Sequence, residues 1–178
     1  MNLFRIKRAC SLKAALSFSL VIFFALLTGC GLIPEKNIYT EIEIDASSET
    51  VWSILIDNKA YPEWNPYHVR VEGDMALDHK LEVDIEKPNG NNLTIHPTLW
   101  VAEPYSELTW GGGITGIFIG RHSFVLSEID QGKTRLVHKE HFSGFAIPFA
   151  ELDTIEEGYQ LMNEALKRRA EALEGAHL

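Results

Sequence analysis

Apolar and polar residues alternate with a period of two over residues 41–45, where Ile42 and Ile44 sit between Glu41, Glu43 and Asp45. This predicts a short antiparallel strand with one wet face. The period then lengthens, as Val51, Ile54 and Leu55 recur at helical spacing behind Ser47, whose hydroxyl suits an N-cap. Glu49 favours the positive end of that helix, and Asp57-Asn58 closes it. In Tyr61-Pro62-Glu63-Trp64-Asn65-Pro66 two prolines forbid a long helix, so a short helix or turn is expected there, a lid laying two aromatic rings over apolar surface. Six strand-like runs follow, at 69–72, 80–86, 92–102, 107–111, 117–129 and 133–143. The breaks at Gly73-Asp74, Pro88-Asn89-Gly90, Glu103-Pro104 and Gln131-Gly132 point to an antiparallel meander rather than βαβ units. With the first strand, seven are expected. Over 150–175, Leu152, Ile155, Tyr159, Met162, Leu166 and Leu173 recur near helical spacing, predicting one long amphipathic helix that covers the sheet.

This order, a strand, an S-x-E-x-V-W helix, Y-P-E-W-N-P, a run of strands and a last helix carrying M-N-E-A-L-K, resembles the START/Bet v 1-like (SRPBCC) helix-grip superfamily, specifically its bacterial polyketide cyclase/dehydrase-like branch. The resemblance spans residues 38–174. It implies an α+β fold: a seven-stranded curved antiparallel sheet wrapped around a long C-terminal helix, with two short helices after strand 1 and a cavity between sheet and helix. Lipid carriers, hormone-binding proteins, aromatic cyclases and co-chaperones share that superfamily, so it specifies fold more closely than function.

The amino-terminal segment changes the picture. Arg5, Lys7, Arg8 and Lys13 precede an apolar run at 14–28 that is short for a membrane-spanning helix and ends in Leu27-Thr28-Gly29-Cys30. That ending resembles the bacterial lipobox, which implies a signal peptide at 1–29, lipidation of Cys30, a tether at 30–37 and a START/Bet v 1-like domain at 38–178. Gly31, in place of an aspartate after the cysteine, implies an outer-membrane lipoprotein facing the periplasm. Cys10 would leave with the signal and Cys30 would carry lipid, so no disulfide, thiol catalysis or cysteine zinc site is expected. Removing the signal takes away four cations and no anions, shifting the net charge from -9 to -13. Such a chain is a poor partner for nucleic acid, and its attachment to a membrane should depend on the lipid rather than a basic patch.

Candidate chemistry lies on the inner face of the last hairpin. Leu136, His138, Glu140 and Phe142 share one parity, while Arg135, Lys139 and His141 mark the other as the solvent side. On the preceding strand Phe124 and Leu126 oppose Arg121, Ser123 and Ser127, so His122 joins the inner set. A three-residue turn, Asp130-Gln131-Gly132, would set Ile129 opposite Lys133 and His122 opposite Glu140. Inward charge is costly unless paired, so His122 and Glu140 are expected to share a hydrogen bond, with His138 one pleat away.

Three roles stay open for His122, His138 and Glu140: general acid–base catalysis on an enolisable ketone or a dehydration, anchoring of a polar ligand head, or structure alone. The ligand-lining set is Trp64, Leu99, Trp110, His122, Phe124, His138, Glu140, Phe142, Tyr159 and Met162. His96 is expected to be exposed, and the other histidines to lie in turns or at the terminus. No metal spacing of the H-E-x-x-H or H-x-H kind is present, and no cofactor is expected. Gly111-Gly112-Gly113 lacks the lysine and strand-to-helix context of a phosphate loop and reads as a flexible strand end near a pocket mouth. The function carried forward is an envelope-anchored binding protein for a small hydrophobic molecule. A cyclase or dehydratase is the alternative and a protein-interaction module the third reading.

Overall fold

A computed structural model describes residues 33–176; the expected signal peptide, Cys30 and the first part of the expected tether lie outside the described residues. Strand β1 (Glu35–Ile44) is followed by helix α1 (Ser48–Ile56), a single 3-10 turn (Asn58–Ala60) and the short helix α2 (Tyr61–Trp64). Seven more strands follow: β2 (His68–Glu72), β3 (Glu82–Glu86), β4 (Asn92–Ile95), β5 (Thr98–Glu103), β6 (Glu107–Ile114), β7 (Phe118–Asp130) and β8 (Lys133–Ser143). The chain ends in helix α3 (Ile155–Ala176). This is the α+β helix-grip arrangement, with antiparallel sheets against one long C-terminal helix and the two short helices after the first strand.

The first strand is longer than the expected short one. Its inner parity runs through Lys36, Ile38, Thr40, Ile42 and Ile44, and it pairs with β8 from Glu35↔Ser143 to Ile44↔Thr134. Polar residues at inner positions 36 and 40 hid its beginning. Ser47 caps α1 as expected, its hydroxyl accepting from the Thr50 amide at 3.2 Å. In α2, Tyr61 is fully buried and its ring packs on Trp64 with centroids 5.1 Å apart.

The described residues hold eight strands, not seven, because the run at 92–102 is cut at Pro97. Proline offers no amide to a ladder, and there the chain passes from a three-stranded sheet, ordered β2-β3-β4, to a five-stranded one, ordered β1-β8-β7-β6-β5. The Leu81 amide donates to the Pro97 carbonyl at 2.8 Å and the Leu99 amide to the His79 carbonyl at 2.9 Å, tying the two sheets together.

In the β7–β8 hairpin the expected register holds, with His122↔Glu140 as partners, yet the turn differs. Gln131 and Gly132 form a two-residue connection between Asp130 and Lys133, and a bulge between Glu128 and Asp130 takes up the odd residue. Ile129 therefore leaves the ladder instead of facing Lys133, and Gly132 adopts the left-handed φ of +70°. Helix α3 starts later than position 150; it buries Ile155, Tyr159, Met162, Leu166 and Ala170 against the sheet, while Leu173 stays partly exposed.

Candidate functional site

Between α3 and the two sheets the core is left unfilled over a cavity of about 320 Å³. Its walls are apolar, formed by Ile85, Ile95, Phe118, Phe142, Leu152 and Ile155. Its inner end is polar and aromatic, formed by the buried Tyr67, His68, Trp110, His122 and Tyr159 and the half-buried Glu140. Gly120 makes room for this end: a Cβ there would stand 3.1 Å from Glu140 Oε1 and 3.2 Å from the Phe142 ring. The rim is formed by Leu93, His96, Gly113 and Glu151, all exposed. Across it Glu151 is held by the β3–β4 turn, accepting from Lys87 Nζ at 3.1 Å and from Asn91 Nδ2 at 3.0 Å.

The expected hydrogen bond between His122 and Glu140 is absent. Glu140 accepts from the Tyr159 hydroxyl, whereas His122 Nε2 lies 2.6 Å from His138 Nε2. Directly opposed residues bring their Cα atoms together, but the imidazole reaches the diagonal neighbour, His138, instead. His138 in turn places Nδ1 2.8 Å from Asn163 Oδ1. Asn163 Nδ2 donates to Thr40 Oγ1 at 2.9 Å, and the Thr40 hydroxyl donates to the His138 carbonyl at 3.0 Å. Two rings clamp this chain, with Trp110 stacked on His122 at 4.7 Å and Tyr159 stacked on His138 at 3.7 Å between centroids.

Burial sets the protonation of these groups. His122 and His138 are both pushed well below the ordinary histidine value by desolvation; for His122, proximity to His138 and His68 adds to it, and for His138 the Asn163 bond opposes it. His68 is pushed down to about 3, again by burial. Glu140 moves the other way, up to about 7, because burial disfavours its anion more than the Tyr159 hydroxyl supports it. At neutral pH the histidines are uncharged, and Glu140 titrates near neutrality. Such an end can hydrogen-bond a polar group inside an apolar pocket, and it also contains an acid matched to neutral pH.

Of the ten expected liners, Trp110, His122, Glu140, Phe142 and Tyr159 border the cavity. His138 stands one layer behind His122, and Phe124, Leu99 and Met162 are buried in the core. Trp64 lies away from the cavity, at a surface dent beside Arg168 and Arg169. His96 is exposed, 3.3 Å from Glu82. The three glycines at 111–113 belong to β6 and border the cavity as ordered strand rather than a loose end.

Four residues of the polar end and the chain behind it escaped the sequence: Tyr67, His68, Asn163 and Thr40. His68 was expected in a turn ahead of the strand at 69–72, but it opens β2, and a bulge between His68 and Arg70 turns it inward together with Val71, which strict alternation would not do. Asn163 lies on the buried face of α3; its helical spacing with Tyr159 and Leu166 was the available signal.

Fold and site together define a helix-grip domain enclosing an apolar cavity with one polar end. The family described as polyketide cyclase / dehydrase and lipid transport matches residues 36–173, and the chain belongs to it. No curated protein matches the chain. Among solved structures it is similar to a START superfamily protein from Mycobacterium smegmatis (18% identity, TM-score 0.54, covering 80% of this chain and 99% of that one). It is also similar to a norcoclaurine synthase point mutant from Thalictrum flavum in complex with a transition-state analogue (12% identity, TM-score 0.57, 77% and 94%). A third is the di-domain ARO/CYC StfQ of the steffimycin biosynthetic pathway (13% identity, TM-score 0.58, 80% of this chain and 52% of that one). At these identities the likeness establishes the fold.

Proposed function

We propose that this chain is a membrane-anchored extracytoplasmic binding protein that holds a small hydrophobic molecule, a lipid, polyketide or isoprenoid-like compound, between sheet and α3 without transforming it. The observation that carries the reading is the cavity itself: apolar walls converging on a single polar end are suited to a greasy body with one polar group. Family membership agrees with this, since the family's description includes lipid transport.

The membrane part of the reading draws support from one end of the fold. Ile33 begins the described chain three residues after Cys30. The Pro34 carbonyl accepts from the Gly144 amide at 3.0 Å, and the amides of Phe145 and Ala146 donate to the carbonyls of Gly116 and Ile117. Ile33, Ile117 and Phe145 are thereby gathered at one end, all exposed, and Phe149 and Ile114 beside them are 89% and 64% exposed. Their chain neighbours Gly113 and Glu151 form part of the cavity rim. A bilayer facing this end would cover those apolar tips and meet the mouth. Gly31 after Cys30 favours the outer membrane, with the domain in the periplasm.

Mass spectrometry of the protein extracted from membranes tests both halves. The expected species begins at a lipid-modified Cys30 and retains a lipophilic small molecule, and Cys30→Ala should move the protein to the soluble fraction. Retention of residues 1–29 or an unmodified Cys30 would refute the anchor. The second reading, a cyclase or dehydratase using Glu140 as its acid, is favoured only by the proton affinity of Glu140 near neutrality. Conversion of the retained molecule to a product on incubation would establish it.

A further inference from the structure

The hydrogen-bond chain behind the cavity has a direction. Thr40 has one hydroxyl proton and gives it to the His138 carbonyl, so its oxygen meets Asn163 as an acceptor and Asn163 must present its amino group there. The Asn163 carbonyl oxygen therefore faces His138 Nδ1, which must carry the proton. A neutral His138 then has a bare lone pair at Nε2, and the contact of 2.6 Å requires the proton on His122 Nε2. His122 is left with an unprotonated Nδ1, and that atom, like Nδ1 of His68 whose ring lies 5.2 Å away, is buried without a hydrogen-bond partner among the described residues although its ring borders the cavity. A buried acceptor with nothing to accept from is costly, of the order of 1–3 kcal/mol in proteins, and is filled where a partner can reach it.

We propose that the inner end of the cavity selects its ligand by a hydrogen-bond donor: the Thr40–Asn163–His138 relay fixes His122 Nδ1 as an acceptor, so the ligand is a neutral amphiphile ending in a hydroxyl or N–H group. This rests on the binding function proposed above and names the class of molecule bound. Asn163 and His138 are positioning residues in this scheme, and His122 makes the contact. A hydroxyl suits the end doubly, because it donates to His122 and can accept from Glu140 when that carboxyl is protonated. A carboxylate or an ether brings acceptors alone. Among the described residues no lysine or arginine lies at this end to hold an anion; Lys87, at the rim, is engaged by Glu151.

The test uses the full chain in detergent, with three probes that differ in one group: 1-naphthol, 1-methoxynaphthalene and 1-naphthoate. Binding is followed by calorimetry at about pH 6, where Glu140 is largely protonated and repels the anion least. Naphthol is expected to bind roughly five- to tenfold tighter than its methyl ether, the worth of one net hydrogen bond, with naphthoate weaker than naphthol. His122→Phe should erase the difference between naphthol and ether. Long-range proton–nitrogen NMR of histidine-labelled wild-type protein gives an independent readout, with a pyridine-type Nδ1 expected at His122, and in Asn163→Leu this tautomer should no longer be enforced. A protonated Nδ1 at His122, or equal affinity for naphthol and ether, would overturn the inference while leaving the binding function standing. Failure of all three probes to bind would remove the binding function and the inference with it.

Discussion

Glu140→Gln should make the protein more stable at alkaline pH and leave it nearly unchanged at acid pH. Glu140 has an ordinary value of 4.5 and is raised to about 7 in the fold, chiefly by burial. The folded state therefore binds more protons than the unfolded state between those two values, so the carboxyl's contribution is intact below pH 4.5 and is lost as pH rises through 7. At about 1.4 kcal/mol per pH unit, the full loss comes to roughly 3 kcal/mol by pH 8.5. Glutamine keeps the shape, remains neutral and can still accept from the Tyr159 hydroxyl. The assay is equilibrium denaturation of both proteins at about pH 4 and about pH 8.5. The buried histidines are common to both proteins, so their titration cancels in the difference. The expected result is a stability difference close to zero at the lower pH that grows by roughly 3 kcal/mol in favour of Gln at the higher. A difference that does not change with pH, or that moves in favour of Glu, would refute the assignment of Glu140 as a desolvated carboxyl.

The other predictions concern the relay, acid sensitivity and the helix surface. Asn163→Leu strands the Nδ1 proton of His138 in a buried site, and should cost about 2 kcal/mol and lower Tm by roughly 4–8 °C, read by thermal denaturation; an unchanged Tm would show that the relay is not stabilising. Wild-type stability should fall as pH drops below 6.5, because His68, His122 and His138 are all depressed on folding and lose their contribution as pH falls, three groups against the opposing titration of Glu140 alone. A denaturation midpoint that rises from pH 7 to pH 5 would contradict this. Gly158→Ala should destabilise by about 1–3 kcal/mol despite alanine's better helix propensity, because its Cβ would stand 2.2 Å from the Tyr67 ring; a more stable variant would show that Tyr67 is not held against α3.

The elements of this fold were legible wherever periodicity was clean. Residues 133–143 coincide with β8, the Ser47 cap is where its side chain indicated, and parity placed His122, His138 and Glu140 on the inner face. Failures came where one residue broke the period. Pro97 split a run that reads as continuous, and bulges at Ile129 and beside His68 shifted parity without any mark in composition. Which inner residues bond to one another was not legible, because register fixes Cα partners but not the reach of a side chain. His122 stands opposite Glu140 and bonds His138, while Glu140 is taken by Tyr159 from the helix. The third layer, Asn163 and Thr40, depends on how α3 lies across the sheet, which no local pattern encodes.

Filling the cavity tests the binding function most directly. Ile155, at the start of α3, is buried and lines the cavity wall, so Ile155→Trp places a large side chain in the space assigned to the ligand. Native mass spectra of wild-type and variant proteins, extracted gently from the same membranes and matched by circular dichroism, should differ in one respect. A lipophilic molecule is expected to remain with the wild type and to be missing from the folded variant. The same molecule on both proteins, or none on either, would contradict a ligand held between the sheet and α3.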